Sequence, residues 1–152
     1  MCKNRQNHEI KKVKKVFKKG AEDPEFCFCS QMKFDGEDIT TKLISTIEKK
    51  IDKVMKNKVK FWYIGIASGE NSNDALKRRY DSSKAKWGCN FTFSLVKVVS
   101  KEISGELERY FINYLKNQFP KKSQNKSSGN EGALSVQPYH YLYLAVRIWP
   151  KP

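Results

Sequence analysis

Residues 59–67 read V-K-F-W-Y-I-G-I-A, and this stretch predicts the strand around which the rest of the chain is arranged. β-Branched and aromatic residues favour strands, and the run is too continuous for one of its faces to meet water. We therefore predict a central strand of a sheet that is covered on both faces. A polar loop follows it at residues 68–73.

Helices are predicted on both sides of this strand. Between residues 38 and 57, apolar side chains recur with helical period while lysines fill the other positions. After the loop, Asn73 or Asp74 is placed to cap a short helix through Ser82. A longer helix is predicted from Gly105 to Gln118, with Ser104 as its cap and Pro120 as its stop signal.

Three more segments have strand character, at residues 26–34, 91–99 and 139–148. Together with the helices they predict an α+β fold, in which helices flank a small three- to four-stranded mixed or antiparallel sheet. A length of 152 residues suits one domain with its own core. We assign residues 23–152 to this domain and residues 1–22 to a basic N-terminal arm or helix.

The charge of the chain indicates a polyanionic partner. Thirty Lys and Arg residues face sixteen Asp and Glu residues, which leaves a net charge of +14. Nucleic acid is the first candidate, an anionic membrane surface the second and acidic protein tails the third. Residues 1–20 hold eight of the cations and one acid. They are predicted to be either a solvated basic helix docked on the domain, or a phosphate-binding arm or nuclear-import patch.

The termini and cysteines favour an intracellular protein, cytoplasmic or nuclear. No apolar region follows the N-terminus as in a secretory signal, and no apolar run is long enough to span a membrane. The four cysteines are then expected to be free thiols. Cys27 and Cys29 form a C-x-C pair, which is read as two buried small hydrophobes in preference to a zinc site.

Four consecutive elements, a strand, a helix, a strand and a helix, together form a recognisable pattern. Residues 63–65 read Y-I-G at the end of a strand, and residues 75–80 read A-L-K-R-R-Y in a helical segment. A strand follows, and then a helix in which residues 106–112 read E-L-E-R-Y-F-I. This order resembles the GIY-YIG nuclease superfamily, with its YIG strand, its L-x-x-R helix and its metal-binding glutamate helix. The resemblance covers roughly residues 59–118.

The resemblance implies a divalent-metal-dependent endonuclease that hydrolyses phosphodiester bonds in DNA. Such a reaction needs an attacking water, a Lewis acid on the phosphate and a fixed positive charge. By resemblance, Tyr63 acts as general base or orients the water, an arginine contacts the phosphate, and one glutamate holds a single Mg²⁺ or Mn²⁺ ion. The structural alternative for Tyr63 is an aromatic residue of a buried strand.

Helical geometry selects the arginine and the glutamate. At about 100° per residue, Arg79 lies beside the packed face of its helix and Arg78 points to water. Glu108 falls within the apolar stripe of the last helix, whereas Glu106 falls on the polar side. A carboxylate in an apolar stripe costs several kcal/mol unless a metal or a cation compensates it. We therefore predict Arg79 and Glu108 as catalytic residues, with Glu108 as the metal ligand. The alternatives are a solvated basic face and a structural salt bridge.

Further basic residues are predicted to contact the nucleic-acid backbone. They are Lys77, Arg78, Lys84, Lys86, Lys121 and Lys122.

The chain departs from the family at the GIY element. No Gly-Ile-Tyr occurs, and residues 26–34 are the candidate for the missing strand, although they contain no tyrosine. Tyr80 is a substitute for the second tyrosine, Asn130 is a candidate for the family's asparagine, and His140 is an additional candidate base. The fold is then a divergent or circularly rearranged relative, or one that kept DNA binding and lost cleavage.

Three functions follow from these features. The first is the nuclease, for which the resemblance favours DNA over RNA. The second is a non-catalytic nucleic-acid-binding module on the same surface. The third is an interaction or membrane-surface protein, whose N-terminal basic helix docks on acidic lipids. Oligomeric state and substrate specificity are not indicated.

Overall fold

A computed structural model describes residues 26–28, 32–120 and 137–148 of the chain. The predicted N-terminal arm, the loop at residues 121–132 and three of the cysteine side chains lie outside this part. The elements, in chain order, are β1 (Phe26–Phe28), β2 (Lys33–Phe34), α1 (Thr41–Met55), β3 (Phe61–Ser68), α2 (Ser72–Trp87), β4 (Phe91–Val98), α3 (Lys101–Gln118) and β5 (His140–Arg147). The predicted α+β class is confirmed.

The sheet is mixed, with strand order β1-β4-β5-β3. β5 runs antiparallel to both β3 and β4, while β1 and β2 pair in parallel with different parts of β4. The prediction that β3 is central is wrong, because within the described residues it pairs with β5 alone. Helices cover β3 on both faces, so its sequence is as continuously apolar as that of an inner strand.

Helices pack on both faces of the sheet and divide the core in two. One face, called here the α1/α3 face, joins buried side chains of α1 and α3 to Trp62, Ile64 and Leu144 of the strands. The other, called the α2 face, joins Ala75 and Leu76 of α2 to alternate residues of β3 and β5. Since neighbouring residues of a strand point to opposite faces, each residue of the Y-I-G motif can be assigned to one of them.

Helix ends differ from prediction by a few residues. The cap of α2 is Asn71, whose side chain accepts from the backbone N–H of Asn73 at 2.9 Å. The cap of α3 is Ser100, and Ser104 is buried inside the helix. α2 also continues past Ser82 to Trp87 and ends at Gly88, whose φ of 68° is left-handed and favours glycine. This longer α2 carries Trp87 to the vicinity of Tyr63.

Two buried side chains have structural roles. Lys50 lies on the apolar face of α1, and its Nζ donates to the carbonyl oxygen of Leu95 at 2.8 Å, where the β4–β5 register shifts. A buried ammonium group needs such an acceptor. Cys89 is a buried free thiol, and burial raises its pKa to about 12, which makes it a poor nucleophile.

Among the residues that the structure describes, none of the helices α1, α2 and α3 is long and apolar enough to cross a bilayer.

Candidate active site

The Y-I-G motif presents its tyrosine and glycine to the α2 face. Trp62 and Ile64 point to the other face, where both are fully buried. Tyr63 and Gly65 therefore lie beneath the helix that carries Arg79, and Tyr63 keeps part of its side chain exposed. The strand thus places the motif tyrosine at a half-open position on the surface that α2 borders.

Gly65 makes room for a second tyrosine. Gly65 pairs with Tyr143 of β5, and a Cβ atom built on Gly65 would lie 2.5 Å from Tyr143 Oη and 2.7 Å from Tyr63 Cε1. The ring of Tyr143 therefore lies across Gly65, and its hydroxyl points from the inner strand toward β3. The centroids of the Tyr63 and Tyr143 rings are 6.1 Å apart. Only glycine allows this approach, which gives the glycine of the motif a physical reason.

Tyr143 interacts electrostatically with the three predicted catalytic residues. Burial raises the pKa of Tyr143 above its ordinary value. The phenol of Tyr63 and the carboxylate of Glu108 raise that pKa further, whereas the guanidinium of Arg79 lowers it. Tyr63 lies on the same face of the sheet as Tyr143 and Arg79 belongs to the helix that covers this face, whereas Glu108 belongs to α3, which packs on the opposite face. Because the net shift is upward, Tyr143 is a neutral phenol at physiological pH.

The side chain of Glu108 is buried on α3, as its position in the apolar stripe predicted. Leu107, Phe111 and Ile112 are fully buried, and Glu108 is only 8% exposed, whereas Glu106 is exposed. Trp62 fixes the far end of the helix, because its Nε1 donates to the carbonyl oxygen of Phe119 at 3.2 Å. This hydrogen bond holds the C-terminal end of α3 against the Y-I-G strand.

The two arginines of α2 are both exposed. Arg78 Nη2 donates to the carbonyl oxygen of Ser68 at 3.3 Å, which holds its side chain near the end of β3. Arg79 interacts electrostatically with Tyr143. Of the two, Arg79 is therefore the one whose charge acts on the pKa of Tyr143.

The ligands for a metal ion are few. No group of three or more His, Cys, Asp and Glu side chains that suits a metal lies within the described residues. Mg²⁺ is commonly bound through one or two carboxylates, with waters and substrate phosphate oxygens completing its octahedron. Glu108 is a buried carboxylate on α3 that could provide one ligand of such an ion.

The remaining predicted nucleic-acid contacts are spread along α2. Lys77 Nζ lies 2.8 Å from Asp81 Oδ1 in an exposed pair, which contributes little to stability. Lys86 is exposed, with its Nζ 5.8 Å from the centroid of the Trp87 ring, and Lys84 is partly buried. Lys121, Lys122 and Asn130 lie outside the described residues.

Tyr80 and His140, the two additional candidates that the structure describes, are both buried. Tyr80 is buried on α2, with Lys77 Nζ 5.0 Å from its ring centroid. His140 belongs to the α1/α3 face, the opposite side of β5 from Tyr143, and its Nδ1 lies 2.7 Å from Ser68 Oγ. Burial lowers the pKa of His140.

Sequence reasoning missed Tyr143, and it misplaced the strand beside Y-I-G. The candidate for that strand was residues 26–34, but β1 and β2 lie beyond β4, at the far edge of the sheet. β5 occupies the place instead. The alternation Y-L-Y-L at residues 141–144 was the available signal that two tyrosines share one face, although it cannot identify the partner strand.

Gly65→Ala tests the close approach of Tyr143. The added methyl group must displace Tyr143 or Tyr63, so we expect unfolding by denaturant to require about 1–3 kcal/mol less free energy than in the wild type. Gly69→Ala is the control, because a Cβ there meets its nearest atom at an ordinary 3.5 Å. Equal stability of the Gly65→Ala variant and the wild type would show that the position of the Tyr143 ring does not require a glycine at residue 65.

Comparisons of the chain with protein-family models, curated proteins and solved structures give no match. The resemblance to the GIY-YIG nucleases therefore rests on the motifs and their order in the sequence alone.

Proposed function

We propose that this protein is a divalent-metal-dependent endonuclease that hydrolyses phosphodiester bonds in DNA, as a circularly rearranged relative of the GIY-YIG nucleases. The observation that supports the proposal is the approach of Tyr63 to Tyr143 across Gly65, with ring centroids 6.1 Å apart, while the charges of Arg79 and Glu108 both act on Tyr143. Three residues from separate elements, selected from the sequence for one reaction, thus all interact with one phenol. The rearrangement concerns the strand that pairs with the Y-I-G strand and carries the second tyrosine. In this chain that strand, β5, follows the motif in sequence instead of preceding it.

Glu108 and Arg79 supply the charges that hydrolysis requires. The Glu108 carboxylate would hold the metal ion, and the ion would supply Lewis-acid stabilisation of the negative charge that develops on the phosphate. The Arg79 guanidinium donates to a nonbridging phosphate oxygen, and its fixed charge needs no reorganisation as the reaction proceeds. A carboxylate alone would repel the substrate, so the nearby cation is also needed for binding.

The two tyrosines position the attacking water. The water oxygen forms the new bond to phosphorus and passes its proton to the Tyr63 hydroxyl, which releases its own proton to solvent, and the bond to the leaving oxygen breaks. The leaving oxygen then takes a proton from solvent. Tyr143 remains a phenol because its pKa is raised, so it donates a hydrogen bond to the phosphate or the water and does not act as a base.

Metal-dependent cleavage is the direct test. Purified protein should nick supercoiled plasmid in Mg²⁺ or Mn²⁺, and an excess of EDTA should abolish the reaction. Binding should weaken steeply as salt rises, because Lys and Arg contacts release counterions from the phosphates. Failure to cut any single-stranded, duplex or branched DNA in either metal would refute the nuclease proposal.

The second candidate is a non-catalytic nucleic-acid-binding module on the same surface. It is favoured by the small number of metal ligands, since Glu108 has no companion carboxylates in a suitable group within the described residues. For this candidate, DNA binding should not depend on metal, and Glu108→Gln should bind as tightly as the wild type or more tightly. Cleavage that EDTA abolishes would exclude it.

A further inference from the structure

Three aromatic side chains form a partly exposed surface beside the candidate site. The Tyr63 and Trp87 rings stack, with their centroids 4.7 Å apart and their planes 28° apart. Phe61 lies two residues before Tyr63 on the same face of β3, and all three side chains are only partly buried. We call Phe61, Tyr63 and Trp87 the aromatic ledge.

Cations border this ledge. The guanidinium carbon of Arg147 lies 5.7 Å from the centroid of the Phe61 ring. Arg147 also passes close to Gly88, where an added Cβ would lie 3.7 Å from Arg147 Cδ, so it stands next to the end of α2 that carries Trp87. Lys86 Nζ lies 5.8 Å from the centroid of the Trp87 ring. The ledge therefore combines partly exposed rings with positive charge.

That combination is typical of sites that bind single-stranded nucleic acid. Such sites stack bases on aromatic side chains and track the phosphates with Lys and Arg. In a duplex the faces of the bases are covered by their neighbours, and exposing one costs free energy. A ledge of this kind therefore favours strands whose bases are already unpaired.

Tyr63 is both a residue of the ledge and a proposed catalytic residue. Its ring stacks on Trp87 with centroids 4.7 Å apart, and its centroid lies 6.1 Å from that of Tyr143. A base stacked on the ledge would therefore lie beside the tyrosine that positions the attacking water, next to the phosphate that is cut.

We propose that the aromatic ledge binds an unpaired DNA base next to the phosphate that is cut, so that the substrate is single-stranded DNA or DNA with an unpaired segment. This inference rests on the proposed nuclease function for the position of the cut. The binding itself can be measured without cleavage.

The experiment compares two oligonucleotides of equal length and charge, one of thymidines and one of abasic nucleotides, bound in EDTA. Phosphate contacts are the same for both, so the difference in affinity reports stacking alone. The wild type should prefer the thymidine strand by about tenfold, in line with the usual contribution of one stacked base. Trp87→Leu should lose most of that preference, and Trp87→Phe, which keeps a ring, should retain part of it.

Tyr110→Leu is the matched control. Tyr110 is 44% exposed, and its hydroxyl donates to Glu48 of α1, so it lies away from the ledge. Its removal should leave the tenfold preference intact. A Trp87→Leu protein that folds, as judged by circular dichroism, and keeps the full preference would overturn the inference. Tighter binding of oligouridine than of oligothymidine would overturn the assignment to DNA.

Cleavage assays separate this inference from the proposed function. A protein that cuts plasmid but shows no Trp87-dependent preference would be a nuclease without the ledge interaction. A protein with that preference that never cuts would retain the binding site and refute the catalytic proposal.

Discussion

Replacing Glu108 by glutamine is expected to reduce the rate of metal-dependent DNA cleavage by about 10³-fold. Lewis-acid stabilisation by a bound metal is worth several kcal/mol, and each 1.36 kcal/mol corresponds to a factor of ten in rate. Glutamine has nearly the shape of glutamate but lacks the negative charge that a divalent ion requires. The measurement is the initial rate of plasmid nicking in Mg²⁺ and in Mn²⁺, with circular dichroism to confirm that the variant folds.

Glu106→Gln is the matched control for this variant. Glu106 lies on the same helix, two residues earlier, and undergoes the same change in charge, but its side chain is exposed. Its cleavage rate should stay within about twofold of the wild type, as expected for a surface change away from the site. Equal losses in both variants would mean that only the overall charge of α3 matters, and full activity of Glu108→Gln would remove Glu108 from the mechanism.

Arg79→Ala is expected to lower kcat by about 10²- to 10³-fold, which is the usual effect of removing one preorganised group from a developing negative charge. Arg79→Lys should recover only part of this loss, because an ammonium group cannot form the two parallel hydrogen bonds of a guanidinium. The measurement is kcat and KM on a labelled oligonucleotide at saturating metal.

Arg78→Ala provides the comparison within α2. Arg78 is the preceding residue and is also exposed, but its guanidinium is held at the carbonyl oxygen of Ser68. We expect its loss to raise KM and to leave kcat within about threefold, as for a contact made equally in the ground and transition states. If kcat falls more in Arg78→Ala than in Arg79→Ala, the assignment of the two arginines is reversed.

Local periodicity predicted the parts of the site that depend on one helix. The spacing of Leu107, Phe111 and Ile112 was sufficient to place Glu108 inside and Glu106 outside, since helix geometry fixes which residues share a face. The sequence distinguished the positions of Arg78 and Arg79 less well. Periodicity pointed Arg78 to water, but both side chains are exposed, and only their different contacts distinguish them.

Strand order was beyond the reach of the sequence. An edge strand with both faces covered has the same apolar pattern as an inner strand, so β3 was predicted to be central. The partner of β3 is β5, more than seventy residues further along, and no local pattern specifies that pairing. Tyr143 was missed for this reason. Once the register places Tyr143 opposite Gly65, the absence of a side chain at Gly65 explains how the phenol reaches across β3 to the Tyr63 ring.

The position of β5 has a consequence for how the protein is made. β3 and β4 leave the ribosome before the strand that joins them, so the sheet cannot close until translation has passed residue 147. Until then the growing chain contains Arg79 and Glu108 but lacks Tyr143. The proposed active site can therefore form only late in synthesis, when β5 inserts between β3 and β4.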